Sequence, residues 1–569
     1  MTTKEHVETV VVGSGFGGSV TAFRLAEAGR PVLLLERGNL MPPGSFPRAP
    51  HLVRRNFWDP SAGLFGMWNV WFFRNYGALV SSGVGGGSLI YANVLLKKDE
   101  RWFVTEESGR PGYEHWPVNR AMLDPHYDEV LRAMSAQVFP EHAPYCDTGK
   151  VRRFRQAVER LAAKDPKRTL VKPPLAVIFA SDGAPARIGT PIGGPDDNMH
   201  GCARTTCTLC GECIIGCNTG AKNTLDLNYL SRAKKLGADL RHLHEVRRFR
   251  RLAGGGPRFE VTYVVHDPSQ VEPHDTATLE ERVVTCDRLV LAAGALGSTY
   301  LLLRNREAVG VKSGELGSRF SGNGDLLAFA IACVDDDGRP LRFDPTRGPT
   351  ITSALRAADR LDTGDPRDGR GFYLEDAGFP SQMAWLAEGL NPLGWLGRIW
   401  RLMKRFARKV VGTDDDTDVS EELSNVFGSG DLSATLLPLL GMGRDVPDGT
   451  FDLSPAHQRL RLTWTHARSR DYFDRLEAAA RDVATELRGQ FVVNPTTRFF
   501  KRLVTVHPLG GVPMGRTVAD GVVDSFGRAF ECDGLWVLDG SILPGPVGPN
   551  PALTIAAVAD RAVTEAMLG

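Results

Sequence analysis

Apolar and polar positions follow a regular order in two segments of the chain. The first, VETVVVGSGFGGSVTAFRLAEAGRPVLLLE at residues 7–36, runs from an apolar stretch through a glycine turn and a periodic stretch to a second apolar stretch. The second, RLVLAAGALGSTYLLLRN at residues 288–305, repeats the apolar stretch, the turn and the periodic stretch. These patterns predict strand–helix units, with strands over 9–12 and 31–36 and a helix over 19–29 in the first segment.

The remainder of the chain is less regular. Residues 330–495 carry clusters of proline, glycine and aspartate, and dense glycine signals return after residue 500. The 569 residues also exceed the ~250–300 residues that one hydrophobic core serves. The sequence therefore predicts an α/β protein with a Rossmann-like, doubly wound nucleotide-binding core into which a substrate-binding region is inserted.

Composition and charge exclude several classes of function. The chain is 42% hydrophobic and 24% charged with a formal net charge of +1, so we expect no nucleic-acid partner. Lys4 and Glu5 precede a short apolar run, and no later segment offers 18 uncharged apolar residues. We therefore expect neither a signal peptide nor a membrane span, and a cytoplasmic location in which thiols stay reduced.

The first glycine turn has the spacing of a dinucleotide site. Gly13, Gly15 and Gly18 form G-x-G-x-x-G between a predicted strand and a predicted helix. The first glycine permits the tight turn, the second lets the backbone approach a pyrophosphate, and the third lets the helix pack on the strand. Glu36 stands where a ribose-binding carboxylate belongs. The motif does not distinguish NAD from FAD.

Four cysteines fall within residues 207–217. They are Cys207, Cys210, Cys213 and Cys217. Their C-x2-C-x2-C-x3-C spacing matches the ligand run of bacterial [4Fe-4S] proteins, with Asn218 in place of the usual proline and Cys202 as a further candidate ligand. Tetrahedral zinc is a second interpretation, although structural zinc ligands usually form two separated pairs. Unmetallated thiols or a disulfide are the third, and the spacing leaves all three open.

A basic amphipathic stretch, NPLGWLGRIWRLMKRFARKVVG, occupies residues 391–412. Its apolar residues recur at three- and four-residue steps, and its arginines fall largely on other faces. Such a helix can lie on an anionic membrane surface, which predicts peripheral membrane contact. The alternative is a helix packed on the substrate-binding region with solvated arginines.

Longer motifs carry a family resemblance. They are GVGGGSLIYAN at 83–93, LVLAAGALGSTYLL at 289–302, HPLGGVPMG at 507–515 and GLWVLDGSILPGPVGPNPALTIAAVADRAV at 534–563. Together they resemble the glucose-methanol-choline (GMC) family of FAD-dependent alcohol oxidoreductases, and within it the cholesterol oxidase branch. The resemblance implies FAD as cofactor and an α+β substrate-binding domain built on an antiparallel sheet. The implied FAD-binding domain comprises 1–45, 76–100, 200–330 and 496–569, and the implied substrate-binding region comprises 46–75, 101–199 and 331–495.

The resemblance also implies roles for individual residues. His507 corresponds to the active-site histidine, and Asn550 to the asparagine that binds the substrate oxygen with it. Asn550 is further predicted to cap a helix that starts at Pro551 and points its N-terminus at the flavin. Glu375 corresponds to a carboxylate that faces the substrate and moves a double bond after oxidation, with Asp376 as a competitor and a solvated loop as the alternative. The other implied flavin contacts are Gly83, Gly87, Ser88, Asn93, Val246, Asp539, Gly540 and Pro551.

These features predict a flavoenzyme that oxidises a hydroxyl group on a bulky apolar alcohol, with a sterol as the leading candidate. A second interpretation is a dehydrogenase of other aliphatic or terpenoid alcohols. That enzyme would pass electrons through an iron–sulfur cluster to a protein or quinone acceptor instead of oxygen. A third interpretation is a flavin-binding redox sensor.

Overall fold

Two large sheets organise the protein. The computed structural model describes residues 5–74, 76–106, 112–181, 183–383, 403, 431–456, 458–493 and 503–569. Within these ranges, one sheet has seven strands with a parallel centre, and the other has six antiparallel strands.

The seven-stranded sheet is built on the first predicted strand. Glu5–Val12 lies between Val32–Leu35 and Glu281–Leu291 and pairs with both in parallel. Asp239–Arg241 pairs in parallel with Val32–Leu35 at one edge, and Leu535–Val537 pairs in parallel with Glu281–Leu291. Phe259–Val265 and His244–Arg251 complete the sheet as an antiparallel pair. The central strands are apolar because helices cover both faces of such a sheet.

Two helices follow central strands directly. Phe16–Glu27 follows Glu5–Val12, and Gly294–Val309 follows Glu281–Leu291. The strand starts four residues before the predicted 9–12, and the helix starts three residues before the predicted 19–29. The helix can start earlier because its first turn contains two glycines, which let it approach the sheet closely.

The six-stranded sheet confirms the predicted antiparallel architecture. Its order is Arg168–Val171, Ala354–Ala357, Phe372–Asp376, Leu437–Gly443, Leu326–Ile331 and Gln490–Val493. Helices Gly149–Lys164 and Arg470–Glu486 pack against it. The predicted domain boundary at residue 330 falls inside Leu326–Ile331, so this strand joins the six-stranded sheet as a whole.

Smaller elements complete the described part of the chain. The remaining α-helices of seven or more residues are Arg120–Ala133, Tyr229–Lys235 and Ala552–Arg561. The remaining strands of three or more residues are Trp68–Phe73, Tyr76–Ser81, Leu503–Thr505, Thr450–Leu453 and Leu460–Thr463. Among the described helices, none is long and apolar enough to span a bilayer. The predicted amphipathic helix at 391–412 lies outside the described residues apart from Met403, which is exposed.

Candidate active site

The loop that follows the first strand is shaped by its glycines. Gly13 has a φ of +99°, and a Cβ atom there would lie 2.5 Å from the Ala292 carbonyl oxygen. A Cβ atom on Gly18 would approach the Gly13 carbonyl oxygen to 2.0 Å, so the helix packs tightly on the turn. A Cβ atom on Gly15 would have its nearest contact at 4.0 Å, which leaves room at the helix N-terminus. That room suits a pyrophosphate.

Glu36 lies beside this turn. Its buried carboxylate accepts hydrogen bonds from the Ser14 backbone amide at 2.9 Å, the Ser14 hydroxyl at 2.7 Å and the Gly38 backbone amide at 2.8 Å. A carboxylate offers about four acceptor positions, so one remains for a ribose hydroxyl. The structure therefore leaves Glu36 able to accept a ribose hydroxyl, and its role in ribose binding stays a prediction.

The glycine-rich loop 83–93 packs against the dinucleotide turn. A Cβ atom on Gly86 would lie 2.6 Å from the Cα atom of Gly15, whereas one on Gly87 would meet nothing within 4 Å. A Cβ atom on Gly83 would lie 2.6 Å from the Leu89 side chain. Only Gly87 of the predicted glycines in this loop therefore faces open space.

Two of the predicted cofactor contacts are engaged by protein groups. The Ser88 hydroxyl donates to a backbone carbonyl at 2.7 Å and accepts from a backbone amide at 3.0 Å. The Asp539 carboxylate accepts from the backbone and hydroxyl of Ser541, from the Ser298 hydroxyl and from the Gly294 backbone amide. Burial raises the pKa of Asp539. These side chains shape the loops around the turn.

Two further predicted contacts lie in packed surroundings. Val246 is buried in the strand His244–Arg251, next to a β-bulge between Val246 and Arg248. A Cβ atom on Gly540 would lie 3.1 Å from the Leu509 side chain. Their roles toward a cofactor stay predictions.

His507 is held by a buried carboxylate. Its Nδ1 atom lies 2.8 Å from Oδ1 of Asp325. The other carboxylate oxygen of Asp325 accepts hydrogen bonds from the Thr505 hydroxyl at 2.6 Å and the Val506 backbone amide at 2.9 Å. The Thr505 hydroxyl oxygen in turn accepts from the His507 backbone amide at 2.8 Å. This network fixes the imidazole and directs its Nδ1 proton to Asp325.

The same short loop that carries Asp325 also holds the segment before Asn550. The Asn323 carboxamide accepts from the Gly548 backbone amide at 3.0 Å and donates to the Pro549 carbonyl at 3.1 Å. We refer to residues 321–325, SGNGD, as the clamp loop. It connects the segment that carries His507 with the segment that carries Asn550.

Asn550 contacts Glu375 across 175 residues of sequence. Its Nδ2 atom lies 3.4 Å from Oε2 of Glu375, and both side chains are buried. Oδ1 of Asn550 and Oε1 of Glu375 have no hydrogen-bond partner in the described structure. Burial, opposed by the Asn550 hydrogen bond, raises the pKa of Glu375 well above its ordinary value. The pair leaves two unpaired buried oxygens, which indicates a site for a polar ligand group.

Two expectations for this region are wrong. Glu375 is fully buried in the strand Phe372–Asp376 and is not on a solvated loop. Asn550 does not cap the following helix, which begins at Ala552 with Pro551 in the capping position and no side-chain cap. The carboxamide is oriented toward Glu375 instead.

Asp376 has a different role from its neighbour. Its carboxylate accepts from the Thr352 and Ser353 backbone amides at 2.8 and 2.7 Å, and from the Thr352 hydroxyl at 2.9 Å. The Lys150 ammonium lies 3.2 Å away, and both charged groups are fully buried. Asp376 is saturated by protein groups, which leaves Glu375 as the free carboxyl group.

Similarity to known proteins decides the family. Residues 448–559 match the GMC oxidoreductase family model, and residues 11–41 match an NAD(P)-binding Rossmann-like domain. The cholesterol oxidase of Mycobacterium tuberculosis is 28% identical over 569 residues, which cover 99% of this chain and 91% of that protein. The chain is a GMC oxidoreductase.

Further relatives of this GMC oxidoreductase support the same family and fold. The cholesterol oxidase of Acinetobacter baumannii is also 28% identical, over 98% of this chain and 93% of that protein. Among solved structures, pyridoxine 4-oxidase from Mesorbium loti has a similar fold, with a TM-score of 0.56 and 16% identity over 99% of both chains. The predicted α/β fold class, family and enzyme class are confirmed, and the protein is an FAD-dependent alcohol oxidoreductase.

The residues of this GMC oxidoreductase fit FAD. Asn93 is fully buried with a φ of +72°, and neither atom of its amide group has a partner in the described structure. An unpaired buried amide is costly unless a ligand satisfies it. Together with the open space at Gly15 and Gly87 and the spare acceptor of Glu36, it provides the polar contacts that a flavin dinucleotide requires.

The cysteine cluster of the GMC oxidoreductase lies apart from His507 and Asn550. Cys207, Cys210, Cys213 and Cys217 line one small cavity. Cys202 is not among the lining residues, and its thiol lies 3.6 Å from the His200 carbonyl oxygen. All nine cysteines are free, which does not support a disulfide. In the described ranges, no three His, Cys, Asp or Glu side chains form a group that could hold a metal ion, so the metal assignments stay predictions.

Sequence reasoning missed three residues of the site. Asp325 and Asn323 act through partners 182 and 225 residues away, so no local pattern identifies them. Gly17 was also missed, although a Cβ atom there would lie 1.5 Å from the Leu538 carbonyl oxygen. The available signal was a polar, glycine-containing loop directly before the apolar strand Leu326–Ile331.

Proposed function

We propose that this GMC oxidoreductase oxidises a hydroxyl group on a bulky apolar alcohol, with a sterol as the leading candidate. The observation that carries the proposal is the buried Asp325 carboxylate at 2.8 Å from Nδ1 of His507. Oxidation of an alcohol needs a base for the hydroxyl proton, and this pair provides one that is fixed in orientation.

His507 is the proposed base. Because the Nδ1 proton stays on the ring and is donated to Asp325 in a hydrogen bond, the neutral ring keeps its lone pair on Nε2. The His507 side chain remains 15% exposed, so a substrate hydroxyl can approach it. The hydroxyl proton then moves to Nε2, and Asp325 stabilises the resulting imidazolium by the logic of a carboxylate-oriented histidine.

Asn550 is proposed to bind the substrate oxygen. Its carboxamide makes one long hydrogen bond, to Glu375, and otherwise has free donor and acceptor capacity. Bound FAD, held at the turn of Gly13, Gly15 and Gly18, supplies the hydride acceptor. A substrate oxygen fixed between His507 and Asn550 would keep the carbinol hydrogen in one orientation during the transfer.

Glu375 is proposed to hold a proton beside the substrate. Because burial raises the pKa of this carboxyl group well above its ordinary value, the fold favours its protonated form. A protonated carboxyl can donate through its unpaired oxygen and exchange its proton with a neighbouring group. This chemistry suits a double-bond shift in a steroid product.

The names of the relatives support a lipophilic substrate. Two of them are named cholesterol oxidases, and a relative from Arabidopsis thaliana, 23% identical, is named a long-chain-alcohol oxidase. These names also support oxygen as the electron acceptor. A 2-methyl-1,2-propanediol dehydrogenase of Mycolicibacterium austroafricanum, 24% identical, supports a different acceptor. Measurement of hydrogen peroxide during turnover separates the two acceptors.

Anaerobic bleaching of the bound flavin tests the proposal. We expect rapid bleaching by cholesterol or a long-chain alcohol and slow bleaching by glycerol. The variant His507→Ala should retain the flavin and lose bleaching, while His51→Ala, at an exposed histidine, serves as the matched control. Bleaching of the His507→Ala protein at the parental rate would contradict the role of the histidine. Failure of every apolar alcohol would contradict the substrate class.

A further inference from the structure

The proposed reaction makes no use of the cysteine segment, yet the protein builds a defined site there. Four cysteines line one small cavity, together with residues of other segments such as Val177 and Gly348. They are Cys207, Cys210, Cys213 and Cys217. Because they arise from one run of the sequence, a single loop conformation sets all four positions together.

Contacts from outside hold this loop in shape. The Arg48 guanidinium donates to the Glu212 carboxylate at 2.7 Å and to the Gly216 carbonyl at 2.8 Å. The Asn218 carboxamide donates to the Phe46 carbonyl and accepts from the Phe46 backbone amide, both at 3.0 Å. A site whose ligands are fixed by such a surrounding shell is preorganised for its ligand.

A buried cation lines the same cavity. The Lys222 side chain is 1% exposed, and its ammonium donates to the carbonyls of Leu89, Tyr91 and Cys213 at 2.7 to 3.0 Å. These three partners are neutral carbonyl oxygens, and the Asp226 carboxylate acts on the ammonium through space without a hydrogen bond to it, so no anion of the described residues contacts the charge directly. A buried charge is costly unless an opposite charge is near. An anionic group in the cavity would provide it.

We propose that Cys207, Cys210, Cys213 and Cys217 ligate a [4Fe-4S] cluster in this cavity. The ligand run has the spacing of bacterial clusters of this type. Four thiolates give the bound cluster a net negative charge, which Lys222 offsets. All four cysteines come from one contiguous run, whereas structural zinc usually takes its ligands from two separated pairs, so the spacing favours a cubane over one zinc atom.

The position of the cavity relates it to the flavin site. Lys222 connects the Cys213 carbonyl to Leu89 and Tyr91, which belong to the glycine-rich loop 83–93. That loop packs against Gly15 in the dinucleotide turn. A cluster in this cavity would therefore lie beside the flavin site, where a one-electron carrier can exchange electrons with it.

Metal and sulfide analysis of the full-length holoprotein, expressed with added iron and purified without oxygen, tests the proposal. We expect about four iron and four sulfide per chain, and a paramagnetic signal after reduction by dithionite. One zinc per chain without iron, or free thiols without metal, would overturn it. Neither measurement depends on the alcohol substrate, so failure of the proposed function would leave this result unaffected.

A matched pair of variants locates the cluster. Cys210 is exposed, so Cys210→Ala removes a ligand with little loss of core packing. We expect it to lose the iron and retain FAD. Cys146→Ala, at an exposed cysteine that does not line the cavity, should keep both. Full iron and sulfide content in the Cys210→Ala protein would contradict the assignment of this ligand.

Discussion

Replacement of Asp325 by asparagine tests the proposed base directly. The carboxylate accepts a hydrogen bond from Nδ1 of His507 at 2.8 Å and two more, from the Thr505 hydroxyl and the Val506 amide. In Asp325→Asn the amide oxygen can keep those two donors, and its NH2 group then faces His507. The ring must accept there, so its proton moves to Nε2 and the lone pair needed for the substrate is lost.

The size of the effect follows from the hydrogen bond that is lost. A hydrogen bond to a charged group contributes about 1.5–3 kcal/mol, and each 1.36 kcal/mol is tenfold in rate. Loss of this stabilisation of the imidazolium alone lowers the rate about 10- to 150-fold, and the wrong tautomer lowers it further.

Stopped-flow measurement of anaerobic flavin bleaching reports this step without the electron acceptor. The Asp325→Asn protein should bind FAD and unfold at a temperature close to that of the parent, because Asn323 and the rest of the clamp loop are retained. Asp147→Asn, at an exposed position, is the matched control. A bleaching rate equal to the parental rate, with flavin bound, would refute the reasoning.

Three further predictions concern other parts of the site. Glu375→Gln should leave flavin bleaching by a sterol nearly unchanged, because the amide mimics the neutral carboxyl, while the conjugated ketone formed by a double-bond shift disappears from the product spectrum. Gly17→Ala should abolish FAD binding or folding, because its Cβ atom would lie 1.5 Å from a backbone carbonyl oxygen; Gly314→Ala, with nothing within 4 Å, should be neutral by the same flavin titration. Burial raises the pKa of Asp445 to about 7, so the folded state binds this proton more tightly than the unfolded state. The free energy of unfolding therefore falls as pH rises from about 4 to 7, by up to about 4 kcal/mol. Urea unfolding at pH 5 and pH 8 should show about two thirds of this loss in the parent and a smaller one in Asp445→Asn.

The fold could be predicted wherever the local sequence pattern and the requirements of tertiary packing favour the same structure. The turn of Gly13, Gly15 and Gly18 is an example: Gly18 packs on the Gly13 carbonyl within the same unit, although the group that excludes a side chain at Gly13 is Ala292, which follows another strand. Glu36 follows for the same reason, since it ends the next strand of the unit. The antiparallel second sheet was implied by the family resemblance, and its strands are too interrupted for the pattern alone to predict them.

The capping role assigned to Asn550 shows where this approach fails. Asparagine before proline at the start of a helix has the local preference of a cap. In the folded protein the carboxamide contacts Glu375 instead, 175 residues away, and the helix begins without a side-chain cap. A tertiary contact that serves the site has overridden a local preference of about 1 kcal/mol. Residues whose chemistry is used at a site are the ones for which local rules are least reliable.

The clamp loop explains how two distant segments reach one site. Asp325, at its end, fixes His507, and Asn323, in its middle, fixes the backbone before Asn550. The loop is itself held at its start by buried Asp445, which accepts from the Ser321 hydroxyl and the Gly322 backbone amide. Because both reacting groups depend on this one loop, a change in its conformation would alter proton acceptance and oxygen binding together. The dinucleotide turn lies on other elements, so FAD binding and alcohol oxidation should be separable by substitutions in the clamp loop.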